Sequence, residues 1–256
     1  MISAGMDVGS KTVKVVILKD GRIIGKGIAT AGLEADEAIQ TAWEAALKEA
    51  GVSREEINKV VATGSRREEI SGFDDEVSEV TADARAMIIV NPEIRTIIDV
   101  GAEEGRAIKV DSGGKILDFA VNEKCAAGAG AFIEAMARAM QVSIEEFSTE
   151  SLKSDKTIPI NAQCAIFAES EVVSLVHDET SRPDICGAIN DAIADRLASM
   201  ARRVLVEPKV ALIGGAALGI GLQSSLKEAL ELDELYIPDD PEFLGAYGAS
   251  IVASES

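Results

Sequence analysis

Four kinds of residue are scarce in this 256-residue chain, and each scarcity excludes something. Cysteine occurs three times at wide spacing, which rules out a disulfide framework. Aromatic residues make up 4% of the chain, so its core is built from Val, Ile, Leu and Ala. The single histidine, His177, falls near the end of a helical stretch before Asp178-Glu179 and reads as a surface residue or C-terminal cap. Cations are few: 25 Lys and Arg stand against 44 Asp and Glu, a net charge of −19. Such a surface repels phosphodiester backbones and anionic lipid, which excludes nucleic-acid and membrane-surface partners. No apolar run reaches the roughly 18–20 residues that cross a bilayer. Met1-Ile2-Ser3-Ala4-Gly5 lacks the basic stretch and long apolar run of a signal peptide, so a cytoplasmic location is expected.

What is present is 47% apolar and patterned. Short β-branched runs at 2–8, 13–18 and 22–29, turned by Gly9-Ser10-Lys11-Thr12 and Asp20-Gly21, predict a β-meander. Helical spacing covers 34–50, a strand covers 57–63, and a helix covers 78–89 before Asn91-Pro92. The pattern then restarts with a strand at 95–100 and a hairpin at 107–110 and 115–121. Helices are expected at 129–140, 167–177 and 183–204. A strand at 209–213, a helix at 217–230, a short strand at 235–237 and a last helix at 243–253 complete the chain. Asp7-Val8-Gly9 opens the first half and Asp99-Val100-Gly101 the second. This predicts a duplicated α/β fold with a cleft between its halves. The first domain would cover 1–93, completed by the C-terminal helix 241–256, and the second 94–240.

The glycine turns are the first chemical signal. A turn of the form Asp-x-Gly-Ser/Thr between strands exposes consecutive backbone N–H groups able to hold phosphate, and the strand-end carboxylate can hold Mg²⁺ through water. Asp7, Gly9, Ser10, Lys11 and Thr12 fit that form, and Lys14 is placed to reach a phosphate as a point charge. Asp99, Gly101 and Ala102 form the partner loop. Gly214, Gly215 and Ala216, between a strand and a helix, would pass under an adenosine. Each turn alone could be plain punctuation; the three in this order resemble the superfamily of acetate and sugar kinases, heat-shock chaperone ATPases and actin. That resemblance implies an actin-like ATPase fold binding ATP and Mg²⁺ between two hinging domains.

Cys125 and Cys164 each precede a predicted helix, where unpaired N–H groups and the helix dipole lower a thiol pKa. They are 39 residues apart, and Cys186 looks like a small core residue. A cubane iron–sulfur cluster needs four thiolates. Two from each of two chains meet that count, while two inert packed thiols remain the other reading. The stretches Lys-Cys-Ala-Ala-Gly-Ala-Gly and Cys-Ala-Ile-Phe-Ala-Glu-Ser-Glu-Val resemble the ATPase family that activates 2-hydroxyacyl-CoA dehydratases and drives benzoyl-CoA reductases. The resemblance implies Cys125 and Cys164 as ligands of a 4Fe–4S cluster shared by a dimer, ferredoxin as electron donor, and a separate reductase or dehydratase as acceptor. Where dehydratase activators carry Gly-Gly-Gln-Asp, this chain has Gly101-Ala102-Glu103-Glu104, which is more similar to the D-type ATPase component of benzoyl-CoA reductase. On that reading the second member of the dimer is an A-type homologue, or the chain itself, and Asp7, Glu103 and Glu104 are the catalytic carboxylates, with a Glu at either position orienting the water or only binding Mg²⁺. A small-molecule kinase of the same fold is the rival from another class; it would have no use for paired cysteines.

Other residues carry plainer expectations. Trp43 reads as a core anchor, Glu169 and Glu171 as acids opening a helix, and Arg138, Arg202 and Arg203 as solvated. Glu79 and Asp83, four apart on one helix face, are either hydroxyl contacts or surface charge.

Overall fold

A computed structural model of the chain describes residues 1–32, 35–122, 130–160 and 165–255. The elements run β1 (Ile2–Val8), β2 (Thr12–Lys19), β3 (Arg22–Thr30), α1 (Asp36–Ala50), β4 (Lys59–Thr63), β5 (Asp75–Glu76), α2 (Glu79–Val90), β6 (Thr96–Val100), β7 (Gly105–Val110) and β8 (Ile116–Asn122). They continue as α3 (Gly130–Ala139), α4 (Ile144–Ser151), α5 (Ala165–His177), α6 (Arg182–Arg203), β9 (Val210–Ile213), α7 (Ile220–Ala229) and α8 (Leu244–Glu255). Two compact units result: Met1–Ile94 with Val110–Ile116 and Glu242–Ser256, and Arg95–Lys109 with Leu117–Pro241.

The first unit is built on a sheet of order β3-β2-β1-β4-β5. β1, β2 and β3 form the expected antiparallel meander, while β4 lies parallel to β1. Asp20 and Gly21 both take positive φ, the turn geometry that matches strand twist in a two-residue hairpin. Alternation along β1 sorts its faces. Ala4, Met6 and Val8 enter a core with Val13, Val15, Ile17, Val60, Ala62 and the α1 residues Ala42, Trp43 and Ala46. Each buried Val, Ile or Met side chain there contributes about 1.5–3 kcal/mol. The opposite face carries Ser3, Gly5 and Asp7 toward α8: a side chain at Gly5 would overlap the backbone of Ala246 and Ser250, and Ser3 Oγ donates to Ser250 O (3.1 Å). α2 packs on α8 just as closely, with Gly248 against the Ala82 carbonyl. Trp43 is the expected anchor, and the Arg54 guanidinium stacks over its ring at 3.8 Å.

The second unit repeats the plan on a sheet of order β8-β7-β6-β9. β6 stands where β1 does, with β7 antiparallel on one side as β2 is, and β9 parallel on the other as β4 is. Its core joins Ile98 and Val100 of the sheet to Phe132, Met136, Phe147, Ile185, Ile189 and Leu197 of the helices. α4 was not evident in the periodicity. Its residues are mostly polar, but Ser143 caps it by accepting from Glu146 N–H (3.0 Å), and Phe147, Ser148 and Ser151 turn inward. Residues 215–218 form a 3₁₀ turn, so α7 starts at Ile220, later than the expected 217. The short strand expected at 235–237 is a single parallel bridge between Ala211 and Tyr236. α5 starts at Ala165, two residues early, so Glu169 and Glu171 fall beyond its first turn and do not open it. Among the described residues, no helix is long and apolar enough to cross a membrane.

Candidate functional site

The same constellation sits at the end of β1 and at the end of β6. In the first unit Asp7 lies opposite Lys14 in the antiparallel register, and Lys14 Nζ is 3.0 Å from Asp7 Oδ2. In the second, Asp99 lies opposite Arg106, and Arg106 Nη1 pairs with Asp99 Oδ2. Each strand then enters a four-residue turn closed by its glycine: Gly9 N–H donates to Thr12 O (3.1 Å), and Gly101 N–H donates to Glu104 O (2.9 Å). Each turn is backed by a second glycine from the parallel neighbour. Gly64, after β4, has φ +101°, and Gly214, after β9, has φ +87°. A side chain at Gly64 would overlap the Val8 backbone, and one at Gly214 would overlap Asp99 Oδ1 and the Val100 carbonyl. Only glycine combines that backbone geometry with that approach. Both turns therefore sit at the carboxyl ends of parallel strands, where open α/β sheets take ligands.

These turns suit phosphate. A Cβ placed on Gly9 would meet Thr12 O at 3.1 Å and Lys14 Nζ at 3.9 Å, so the bare face of Gly9 opens beside an ammonium that Asp7 holds in place. Gly215 has open space where a side chain would be. Among the described residues, no three His, Cys, Asp or Glu side chains converge as a metal site. In the second turn, Glu104 Oε2 accepts from Arg106 Nη2 (2.6 Å), whereas Glu103 is exposed.

Three residues near the turns were missed or left undecided in the sequence. Arg106 is buried as the counterpart of Lys14; Asp99-x₆-Arg106 repeats the Asp7-x₆-Lys14 spacing, a signal the sequence did carry. Asp83 is only 3% exposed, so it is not a surface charge; a Cβ on Gly245 would lie 3.5 Å from Asp7 Oδ2 and 3.7 Å from Asp83 Oδ1. Thr63, fully buried and paired in register with Asp7, has no hydrogen-bond partner for its hydroxyl among the described residues. Nothing in local periodicity marks a residue as lining a strand end. Cys125 and Cys164 lie outside the described residues. Cys186 is the expected core residue: it is fully buried on α6 beside Met140, and burial, reinforced by Glu150, pushes its thiol pKa up to about 12. His177, Arg138, Arg202 and Arg203 are exposed as expected.

Residues 4–253 match the model of the BadF/BadG/BcrA/BcrD ATPase family. The chain belongs to this family. The 2-hydroxyisocaproyl-CoA dehydratase activator of Clostridioides difficile is 35% identical over 259 residues, covering 99% of this chain and 95% of the relative. The D-type component of benzoyl-CoA reductase from Thauera aromatica is 31% identical, over 98% of this chain and 92% of the relative. A solved structure of the Clostridium difficile activator with bound ADPNP superposes with a TM-score of 0.94 at 34% identity, covering 100% and 95% of the two chains. A ROK-family glucokinase from Streptomyces griseus, at 13% identity and TM-score 0.58 over the full length of both chains, shares the fold alone. The actin-like ATPase fold expected for this family member is thus the observed one.

Proposed function

We propose that this ATPase-family chain is the activator of a 2-hydroxyacyl-CoA dehydratase-type enzyme, using ATP to deliver an electron taken from ferredoxin at lower potential. The duplicated acid–base–glycine constellation carries the ATP half of this reading. In the first unit, Gly9, Ser10, Lys11 and Thr12 offer the turn and Lys14 the charge for phosphate oxygens. In the second, Gly101 and Ala102 offer the other turn, and Gly214, Gly215 and Ala216 the surface for the adenosine. Asp7, steadied by Lys14, is the carboxylate that would hold Mg²⁺ through water, and Asp99, steadied by Arg106, is its counterpart in the second unit. Since Glu104 accepts from Arg106, Glu103 is the carboxylate of that turn that we assign to orienting the attacking water.

Similarity carries the partner half. Dehydratase activators at 35% identity favour the activator reading over the reductase reading that Gly101-Ala102-Glu103-Glu104 first suggested, although the benzoyl-CoA reductase component remains a relative at 31%. A 4Fe–4S cluster held by Cys125 and Cys164 of two chains supplies one-electron transfer when bound. Cys186, buried and protonated, is unsuited to be a ligand, which leaves two thiols per chain. α3 starts five residues after Cys125 and α5 one residue after Cys164, and the two helices pack together. On α5, Val173 and Val176 are exposed three residues apart on one face, an apolar pair offered to a second copy of the chain.

Iron and acid-labile sulfide on anaerobically purified protein test the cluster. About four irons per two chains are expected, lost in Cys125→Ala and Cys164→Ala and kept in Cys186→Ala. ATP-dependent activation of a purified dehydratase component is expected. Activation of a benzoyl-CoA reductase catalytic component in its place would return the reductase reading, and iron-free protein that phosphorylates a small molecule would replace both with a kinase.

A further inference from the structure

Lys14 pairs its ammonium with the Asp7 carboxylate. The Arg106 guanidinium spans two carboxylates: Nη1 on Asp99, at the strand end before the turn, and Nη2 on Glu104 Oε2 (2.6 Å), whose backbone carbonyl closes the turn. The Arg106 side chain is 8% exposed and that of Asp99 11%, so the bond between them is made away from bulk water, while Glu104 stays half-buried at 28%; a forked guanidinium holds two carboxylates in a geometry that a point charge cannot. The turn in between is tied to a helix. Gly130 N–H, the first of α3, donates to Gly101 O (2.8 Å), and Ala131 N–H donates to Ala102 O (2.8 Å). The first N–H groups of a helix have no partner within it, and here the turn supplies them. Among the described residues, the first unit's turn is tied to a loop in its place: Lys11 O accepts from Ala31 N–H (2.7 Å), after β3. Gly130 is also wedged. A Cβ there would be 3.2 Å from Gly101 O, tighter than a side chain normally sits, so the turn and the first residue of α3 are in close approach.

We infer that Arg106 is a positioning residue that makes the Gly101 turn move as one body with the start of α3, so that nucleotide bound at the turn is felt at the helix. The inference rests on the ATP-site reading above. A phosphate that draws the N–H groups of the turn rotates its peptides and hence the two carbonyls that hold α3. Without Arg106, Asp99 and Glu104 repel each other, the turn loses its clip, and the peptides rotate without carrying the helix.

Hydrogen exchange on the full chain, with and without ADPNP, tests this. At ligand about a hundred times above Kd, amides stabilised by binding gain up to about a hundredfold protection. In the wild type, peptides spanning 101–106 and 130–135 are expected to gain together, the second by at least about tenfold. In Arg106→Gln, 101–106 still gains while 130–135 gains less than about twofold. Arg106→Lys keeps the charge but not the fork and is read by the same criterion should the glutamine variant fail to fold. Protection of 101–106 without 130–135 in the wild type, or joint protection surviving in the variants, overturns the inference. No protection in either peptide, with no binding heat by calorimetry, would instead remove the ATP-site reading beneath it.

Discussion

Replacing Gly64 by alanine isolates what the close approach at the first turn is worth. Gly64 has φ +101°, a backbone state that costs a residue with a Cβ about 1–3 kcal/mol. Its new methyl would also overlap the Val8 backbone, which cannot rotate away as a side chain would; overpacking of this kind costs about 1–3 kcal/mol more. Gly21→Ala is the matched control, since Gly21 has φ +78° but open space around it. The difference between the two variants is therefore the overlap alone, and at about 2–4 °C per kcal/mol it is expected to lower Tm by roughly 2–12 °C more in Gly64→Ala. Val8 precedes Gly9 and its carbonyl accepts from Arg66 N–H (2.9 Å), so the displacement is passed into the Gly9 turn, the phosphate site of the proposed function. KM for ATP is expected to rise roughly tenfold or more in Gly64→Ala and to stay unchanged in Gly21→Ala. Thermal melts by circular dichroism and steady-state ATP hydrolysis measure both. A Gly64→Ala protein that melts within about 1 °C of the control and keeps its KM would refute the argument that this glycine fixes the turn.

Lys14→Met removes the ammonium facing Gly9. Hydrogen bonds to charged groups contribute about 1.5–3 kcal/mol, so KM for ATP should rise about ten- to a hundredfold, and an unchanged KM with normal circular dichroism would take Lys14 out of the site. Ser143→Ala removes the cap of α4 and should cost about 1 kcal/mol, a fall in Tm of roughly 2–4 °C; no change would mean α4 is held by Phe147 alone. Cys186, with a thiol raised from 9.0 to about 12, binds its proton more tightly folded than unfolded. The stability this adds is full below about pH 9 and lost as pH climbs toward about 12. Denaturant melts of wild type against Cys186→Ala should therefore converge as pH rises through that window. A gap that stays constant would show that the thiol titrates normally in the fold.

Much of this architecture is legible in the chain because it is local. The Asp20-Gly21 turn, the β-branched runs of β1 to β3 and the apolar spacing of α1 and α6 act over a few residues, and the structure places them within a residue or two of expectation. α4 was not legible because its apolar face is one Phe and two Ser, and only packing against α6 and α7 makes a helix of it. The glycine turns and their order were readable as motifs, and so was the family. What each turn rests on was not. That Gly64 backs Val8, and that Gly214 backs Asp99, depends on β4 and β9 lying parallel to β1 and β6, pairings closed over more than fifty residues. The register that sets Arg106 on Asp99, and the bonds that join Gly101 and Ala102 to the start of α3, likewise exist only once the sheet is formed. By itself, then, the sequence determined the kinds of element, the glycine turns and the family motifs, since each is a property of neighbouring residues. Which residue supports which turn was decided by tertiary structure, because hydrogen-bond register between distant strands is a property of no segment alone.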